Sequence, residues 1–272
     1  MMKLTTCALP LFLFLMSVPA HAATTTDPCA LPIGLFARRQ ALKQQYSEQV
    51  RSGYLSHKEA ADHILAQLTV VDQHYRALLS TLCGAASDGD ADVVDRCCGE
   101  TDHDPLAGEM CNLAHYLADE REAKHFVQNF PETPQKIAIF WDLDEVSYGR
   151  QGLLVKECGP IGGVDLYVDK LFNLAVLGDQ QALEKFVNLT QHAEGEFAEG
   201  LGERMKRLFV ENPRLVLEQW SVIRRDPHIQ YVASDFVDDN EQATAERNFH
   251  KLCIRPSQAC AEIERAISAP RD

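Results

Sequence analysis

Eight cysteines, Cys29, Cys83, Cys97, Cys98, Cys111, Cys158, Cys253 and Cys260, constrain this chain more than any other feature. A ninth, Cys7, lies inside an apolar leader. The leader opens with Met1, Met2 and Lys3, runs through "CALPLFLFLMSVP" and ends at the small residues Ala20 and Ala22. One positive charge, a short apolar run and small residues two apart form the pattern of a cleavable secretory signal. The run is too short to span a bilayer, which takes about 20 apolar residues. Cleavage is expected after Ala22, so residues 1–22 are read as a signal peptide. An even number of cysteines in an exported chain reads as a disulfide framework, because the destination is oxidising. The protein is expected to be soluble, and periplasmic or secreted.

The densest stretch, "DRCCGETDHDPLAGEMC" at 95–111, also raises metal and redox alternatives. Structural zinc sites use Cys-x-x-Cys or closely spaced His pairs. Cys97 and Cys98 are adjacent, and neighbouring side chains seldom reach one tetrahedral ion together. Cys111 and His115 stand four apart, on one face of a predicted helix. The Cys-x-x-Cys motif of thiol oxidoreductases is absent from the sequence. The cysteines are therefore read as staples, with no metal and no cofactor. Eight cysteines allow 105 connectivities. Proximity favours Cys253 with Cys260, with Cys97 and Cys98 taken up by Cys83 and Cys111. Cys29 and Cys158 are then left to pair at long range.

Charge narrows the partners. The chain carries 40 acidic and 26 basic residues, a formal net charge of −14. Such a surface repels nucleic-acid phosphates and anionic headgroups and draws cationic partners. No nucleic acid and no membrane insertion are expected, and a protein partner, if charge selects it, is basic.

Along the chain, residues 35–50 lack Gly and Pro and favour helix, "RSGYLSHKEA" marks a turn, and Ser56 with Glu59 has capping-box spacing. The next helix is predicted to run to about Leu82, with Ala61, Ile64, Leu65, Leu68, Val71, Leu78 and Leu79 at helical spacing. Two long helices with a short turn read as an antiparallel hairpin. Residues 83–105 read as a loop rich in Gly and Asp. Asp104 is expected to cap, and Pro105 to begin, a third helix reaching about Asn129. After "FPETP", the run "KIAIFW" is β-favouring and with "DLDEV" is expected to form a strand; "LLVKEC" is read as a second short strand. From Val164 helical spacing returns in segments joined at Gly178-Asp179 and Asn212-Pro213. "HIQYVASDFVDD" reads as extended, and two last helices are tied by Cys253 and Cys260.

One motif suggests catalysis. "IAIFWDLDEV", read as a strand ending in Asp-x-Asp-x-Val, resembles the first motif of haloacid-dehalogenase-like phosphatases. The resemblance implies Asp142 as nucleophile, Asp144 as acid/base and a magnesium ion beside them. "YVASDFVDD" echoes that family's later acidic motif, which would place the metal at Asp235, Asp238 or Asp239. The resemblance covers about twenty residues, and the intervening segments read as helices rather than the strands such a fold needs.

Other features carry less. Asp88, Asp90 and Asp92 begin like a calcium loop, but Val93 and Gly99 stand where the turn glycine and bidentate glutamate belong. No Gly-x-Ser-x-Gly elbow or phosphate-binding loop occurs. His103, His115, His125 and His192 read as surface or packing residues, and Trp141 and Trp220 as core. "NLT" at 188–190 has the spacing of a glycosylation acceptor but falls in a predicted helix.

The expected fold is mainly α and disulfide-stapled. A helical hairpin or bundle (23–130) is followed by a short β-containing connector (131–163) and a stacked-helix, solenoid-like portion (164–272). The expected function is protein binding, as a periplasmic inhibitor or immunity-type protein, rather than enzymatic catalysis. The alternative is the magnesium-dependent phosphohydrolase built on Asp142 and Asp144.

Overall fold

Leu68, Val71, Tyr75, Leu78, Leu79, Leu82 and Ala86 recur at three- and four-residue spacing and are all buried. A helix that buries such a stripe can be surrounded, and residues 58–88 form the axis on which the N-terminal half assembles. The computed structural model describes residues 27–53, 58–148, 155–159, 162–193, 196–226, 229 and 239–268. The signal peptide, Ser56 of the capping box and nearly all of "HIQYVASDFVDD" lie outside them.

The helices are α1 (Leu35–Arg51), α2 (Lys58–Asp88), α3 (Ala91–Thr101), α4 (Pro105–Ala118), α5 (Ala123–Asn129), α6 (Pro134–Tyr148) and α7 (Gly162–Val176). Then come α8 (Gln180–Thr190), α9 (Glu196–Glu211), α10 (Pro213–Glu218), the single turn α11 (Trp220–Ile223), α12 (Asp239–Leu252) and α13 (Gln258–Ile267). Helix α2, 31 residues long, packs against α1, α3, α4 and α6. Helix α6 leads onto α7, α7 pairs with α8, and α9 collects α8, α10 and α12. Buried side chains from Cys29 to Ile267 form one continuous apolar cluster.

The protein is mainly helical, but three expectations need correction. The first is the β element at 131–163, since no strand occurs among the described residues. "KIAIFWDLDEV" lies within α6, where Ile137, Phe140, Leu143 and Val146 recur every third residue and are buried. Burial of that stripe overrides the β preference of its branched and aromatic side chains. The start signal is Thr133-Pro134: Thr133 Oγ1 accepts from the amide of Lys136 at 3.3 Å, and proline suits the first helical position. Of "LLVKEC", Val155 is a described extended residue and Lys156–Cys158 form a single 3-10 turn.

The second correction is the solenoid. In a solenoid each unit touches only its sequence neighbours. Here α2 packs on α4, α6 and the 156–158 turn, α8 packs on α11, and α9 packs on α12.

The third is the loop at 83–105. Helix α2 continues to Asp88, Gly89 turns the chain at φ 72°, and Asp90 caps α3 by accepting from the amide of Val93. The helix expected to reach Asn129 is divided at Asp119, whose carboxylate accepts from the amide of Arg121 and redirects the chain. Asp104 does cap α4, accepting from the amides of Leu106 and Ala107. Asp179 and Asn212 cap α8 and α10 in the same way.

One close approach fixes the centre. A Cβ on Gly163 of α7 would stand 2.7 Å from Ser147 Oγ and 3.2 Å from a methyl of Leu79. Glycine therefore lets the backbone of α7 approach the side chains of Ser147 on α6 and Leu79 on α2.

Candidate functional site

All eight cysteines outside the leader are paired: Cys29–Cys97, Cys83–Cys158, Cys98–Cys111 and Cys253–Cys260. Successive residues on a helix point about 100° apart, from 3.6 residues per turn. Adjacent Cys97 and Cys98 therefore face different elements. Cys97 is buried and reaches the segment before α1, while half-buried Cys98 reaches α4. Cys253–Cys260 and Cys98–Cys111 agree with proximity. Cys83 instead takes Cys158, and Cys29 takes Cys97, because burying the α2 stripe carries Cys83 toward the 156–158 turn. Among the described residues no group of three His, Cys, Asp or Glu side chains is arranged to hold a metal ion.

The two bridges from α3 clamp an acidic face. Asp88, Asp90, Asp92, Asp95, Glu100 and Asp102 are all exposed. Arg96 lies among them and pairs with Asp27 at 3.1 Å and Glu100 at 3.8 Å. The surrounding sequence deepens the field, with 14 acidic and 3 basic residues between Glu59 and Glu122. Asp88, Asp90 and Asp92 do not form a calcium loop, because they straddle the end of α2 and the start of α3. His115 Nδ1 stands 3.4 Å from Asp95, and His103 Nδ1 stands 4.0 Å from Asp102. His125 Nε2 contacts Asn129 Nδ2 at 3.0 Å, and His192 is exposed after α8.

Asp142 has a different setting from a phosphatase nucleophile. It lies buried in α6, where its carboxylate accepts hydrogen bonds from Arg39, Gln40 and Lys43 of α1. Arg39 is fully buried and also donates to Asp72 of α2 at 2.8 Å and Glu145 of α6 at 2.8 Å. Burial works against the Arg39 charge, but Asp142, Asp72 and Glu145 more than offset it and hold the guanidinium above its ordinary range. Asp144, half-buried, occupies the same helix. The haloacid-dehalogenase motif requires a strand here, and the helix removes that premise. Of its second acidic motif, Asp235 and Asp238 lie outside the described residues, and Asp239 opens α12.

Sequence reasoning missed the Arg39 network and a second buried polar group. Tyr167 of α7 donates to Glu109 Oε2 at 3.1 Å and accepts from Asn112 Nδ2 at 2.8 Å. Phe126, Phe130 and Phe140 pack around the Tyr167 ring. Burial pushes the Glu109 carboxyl up to about 7, against the pull of the Tyr167 hydrogen bond, Lys136 and Lys185. Of the two tryptophans, Trp220 is buried and donates to Glu262 at 2.6 Å. Trp141 is half-buried and packs on Phe197. Asn188 donates to the carbonyl of Glu132 at 2.9 Å, and Thr190 is buried, so the "NLT" triplet is built into α8.

The signal that could have flagged the network is the single basic residue falling on the buried stripe of α1, Arg39 between Leu35 and Leu42. A charge there demands counter-ions from whatever helix packs against it. Comparison with known proteins gave no matching family model, no matching characterised protein and no matching solved structure.

Proposed function

We propose that this is an exported, periplasmic or secreted helical protein that binds a basic protein partner, in the manner of an inhibitor or immunity-type protein. The observation that carries this reading is the exposed acidic face of α3, held by Cys29–Cys97 and Cys98–Cys111. A field of one sign raises the rate at which an oppositely charged partner arrives, and rigid presentation lowers the entropic cost of docking. The disulfides and the lack, among the described residues, of any helix able to cross a membrane fit that setting.

The test is co-purification of the oxidised protein from its export compartment, beside a variant carrying Asp88→Asn, Asp92→Asn, Asp95→Asn and Glu100→Gln. These side chains are exposed, so the fold should tolerate the changes. A stoichiometric basic partner recovered with the wild type, released by salt and lost in the variant is the expected result. Equal recovery with both, or no partner with either, would count against the reading.

A further inference from the structure

The seat of α1 is made largely of charge. Of its 17 residues only Leu35, Arg39 and Leu42 are buried. Arg39, Gln40 and Lys43 reach across to Asp142 and Glu145 of α6, and Arg39 also holds Asp72 of α2. Helix α8 buries a wider apolar stripe, Ala182, Leu183, Phe186, Val187 and Leu189, beside the one buried cation Lys185. The segment before α1 is covalently tethered, since Cys29 is bonded to Cys97 of α3.

We propose that α1 is an acid-released arm: protonation of Asp72, Asp142 and Glu145 strips the buried Arg39 of its counter-ions, and α1 leaves the α2–α6 seam while the Cys29–Cys97 bond keeps it attached.

The groups facing Arg39 set the direction. From α1 comes Lys43, from α2 Asp72 and Tyr75, and from α6 Asp142 and Glu145. Arg39 keeps its charge throughout, because its carboxylate partners hold it above its ordinary range. Tyr75 stays neutral, because burial and its hydrogen bond to Asp104 raise it above its ordinary range. Only the three carboxylates change, and each change removes negative charge. An isolated buried guanidinium is strongly unfavourable, whereas a guanidinium in water is not. The α2–α6 seam has a link outside the network: Arg76 of α2 donates to the carbonyls of Val146 and Ser147 at 2.8 and 3.0 Å. Opening can therefore be confined to α1.

Hydrogen exchange on the full oxidised chain from pH 7 to pH 3, corrected for intrinsic rates, tests this. Amides of α1 are expected to lose at least tenfold in protection at a pH where α7 and α8 keep theirs. Simultaneous loss in α1 and α8 would overturn the proposal.

Arg39→Met combined with Lys43→Met supplies the sharper arm, because Lys43 also pairs with Asp142 and Glu145. With both cations gone, buried Asp72 and Asp142 are unfavourable when charged and tolerable when protonated. Protection of α1 should then rise on acidification, reversing the wild-type order. An unreversed order would overturn the proposal. Should that double variant leave α8 unprotected at pH 7, Glu145→Gln replaces it, since this half-exposed carboxylate is more easily spared. It is expected to move α1 release to higher pH, and an unmoved midpoint would again overturn the proposal.

Discussion

The Tyr167 hydroxyl stands 3.1 Å from Glu109 Oε2, joining α7 to α4 beside three aromatic rings, those of Phe126, Phe130 and Phe140. Glu109 is held up to about 7 by burial, from an ordinary value of 4.5. Between those values the folded protein keeps a proton that the unfolded chain releases. Stability therefore falls as pH rises through that window, and the cost is fully present above it. Glu109→Gln keeps an acceptor for Tyr167 and removes the titration. It should leave the unfolding free energy from urea titration unchanged at pH 4 and raise it at pH 8, by no more than about 3 kcal/mol at ~1.4 kcal/mol per unit. An equal effect at both pH values would show that Glu109 does not titrate in this window.

Lys185 acts as a cap supplied from another helix. Its ammonium donates to the carbonyls of Phe130 at 2.7 Å and Gln128 at 2.9 Å, where α5 ends, and pairs with Glu132 at 3.2 Å. A cation there satisfies orphan carbonyls and complements the helix dipole. Lys185→Met keeps the buried stem and loses the cap. It should cost about 2–4 kcal/mol in chemical denaturation. Amide exchange should rise first in α5 and the 130–133 connection.

Gly163→Ala tests the close contact of α7 with α6 and α2. The new methyl would press on Ser147 Oγ, which donates to the carbonyl of Leu143 at 2.7 Å, and on Leu79. Overpacking of this kind costs about 1–3 kcal/mol. Adding Ser147→Ala should recover part of that loss, and the non-additivity of the double-mutant cycle measures the contact.

The four bridges should differ in worth. Cys83 and Cys158 are 75 residues apart, Cys253 and Cys260 only 7. The chain-entropy model gives about 4.5 kcal/mol for the first and about 2.5 kcal/mol for the second. Paired Ala substitutions at each bridge, compared by urea unfolding, should preserve that order. Peptide mapping without reductant should recover Cys29 with Cys97 and Cys98 with Cys111.

Local signals made much of the fold legible. Asp104-Pro105, Gly178-Asp179 and Asn212-Pro213 mark helix boundaries because capping chemistry is carried by the residues themselves. The error at "KIAIFWDLDEV" has an equally clear origin. Ile and Phe favour strands when judged singly, and only the three-residue spacing of Ile137, Phe140, Leu143 and Val146 discloses the buried face. The acidic face was legible as charge but not as a surface, since the helix at 91–101 was hidden by its Gly and Asp content. Arg39 stands out as a charge on the apolar stripe of α1, but its partners could not be read. Its partners lie 33 and about 100 residues away, and no local spacing announces a pair brought together by packing.

Three of the four bridges have an end between Glu59 and Glu122, the segment holding 14 of the 40 carboxylates against 3 bases. Like charges held close oppose compaction, and the opposition weakens as ions screen it. The covalent links thus act as hoops around the part of the molecule that its own charge would spread. A reduced chain should depend on dissolved salt for what the oxidised chain draws from sulfur. The N-terminal half would then be the first to swell in dilute surroundings.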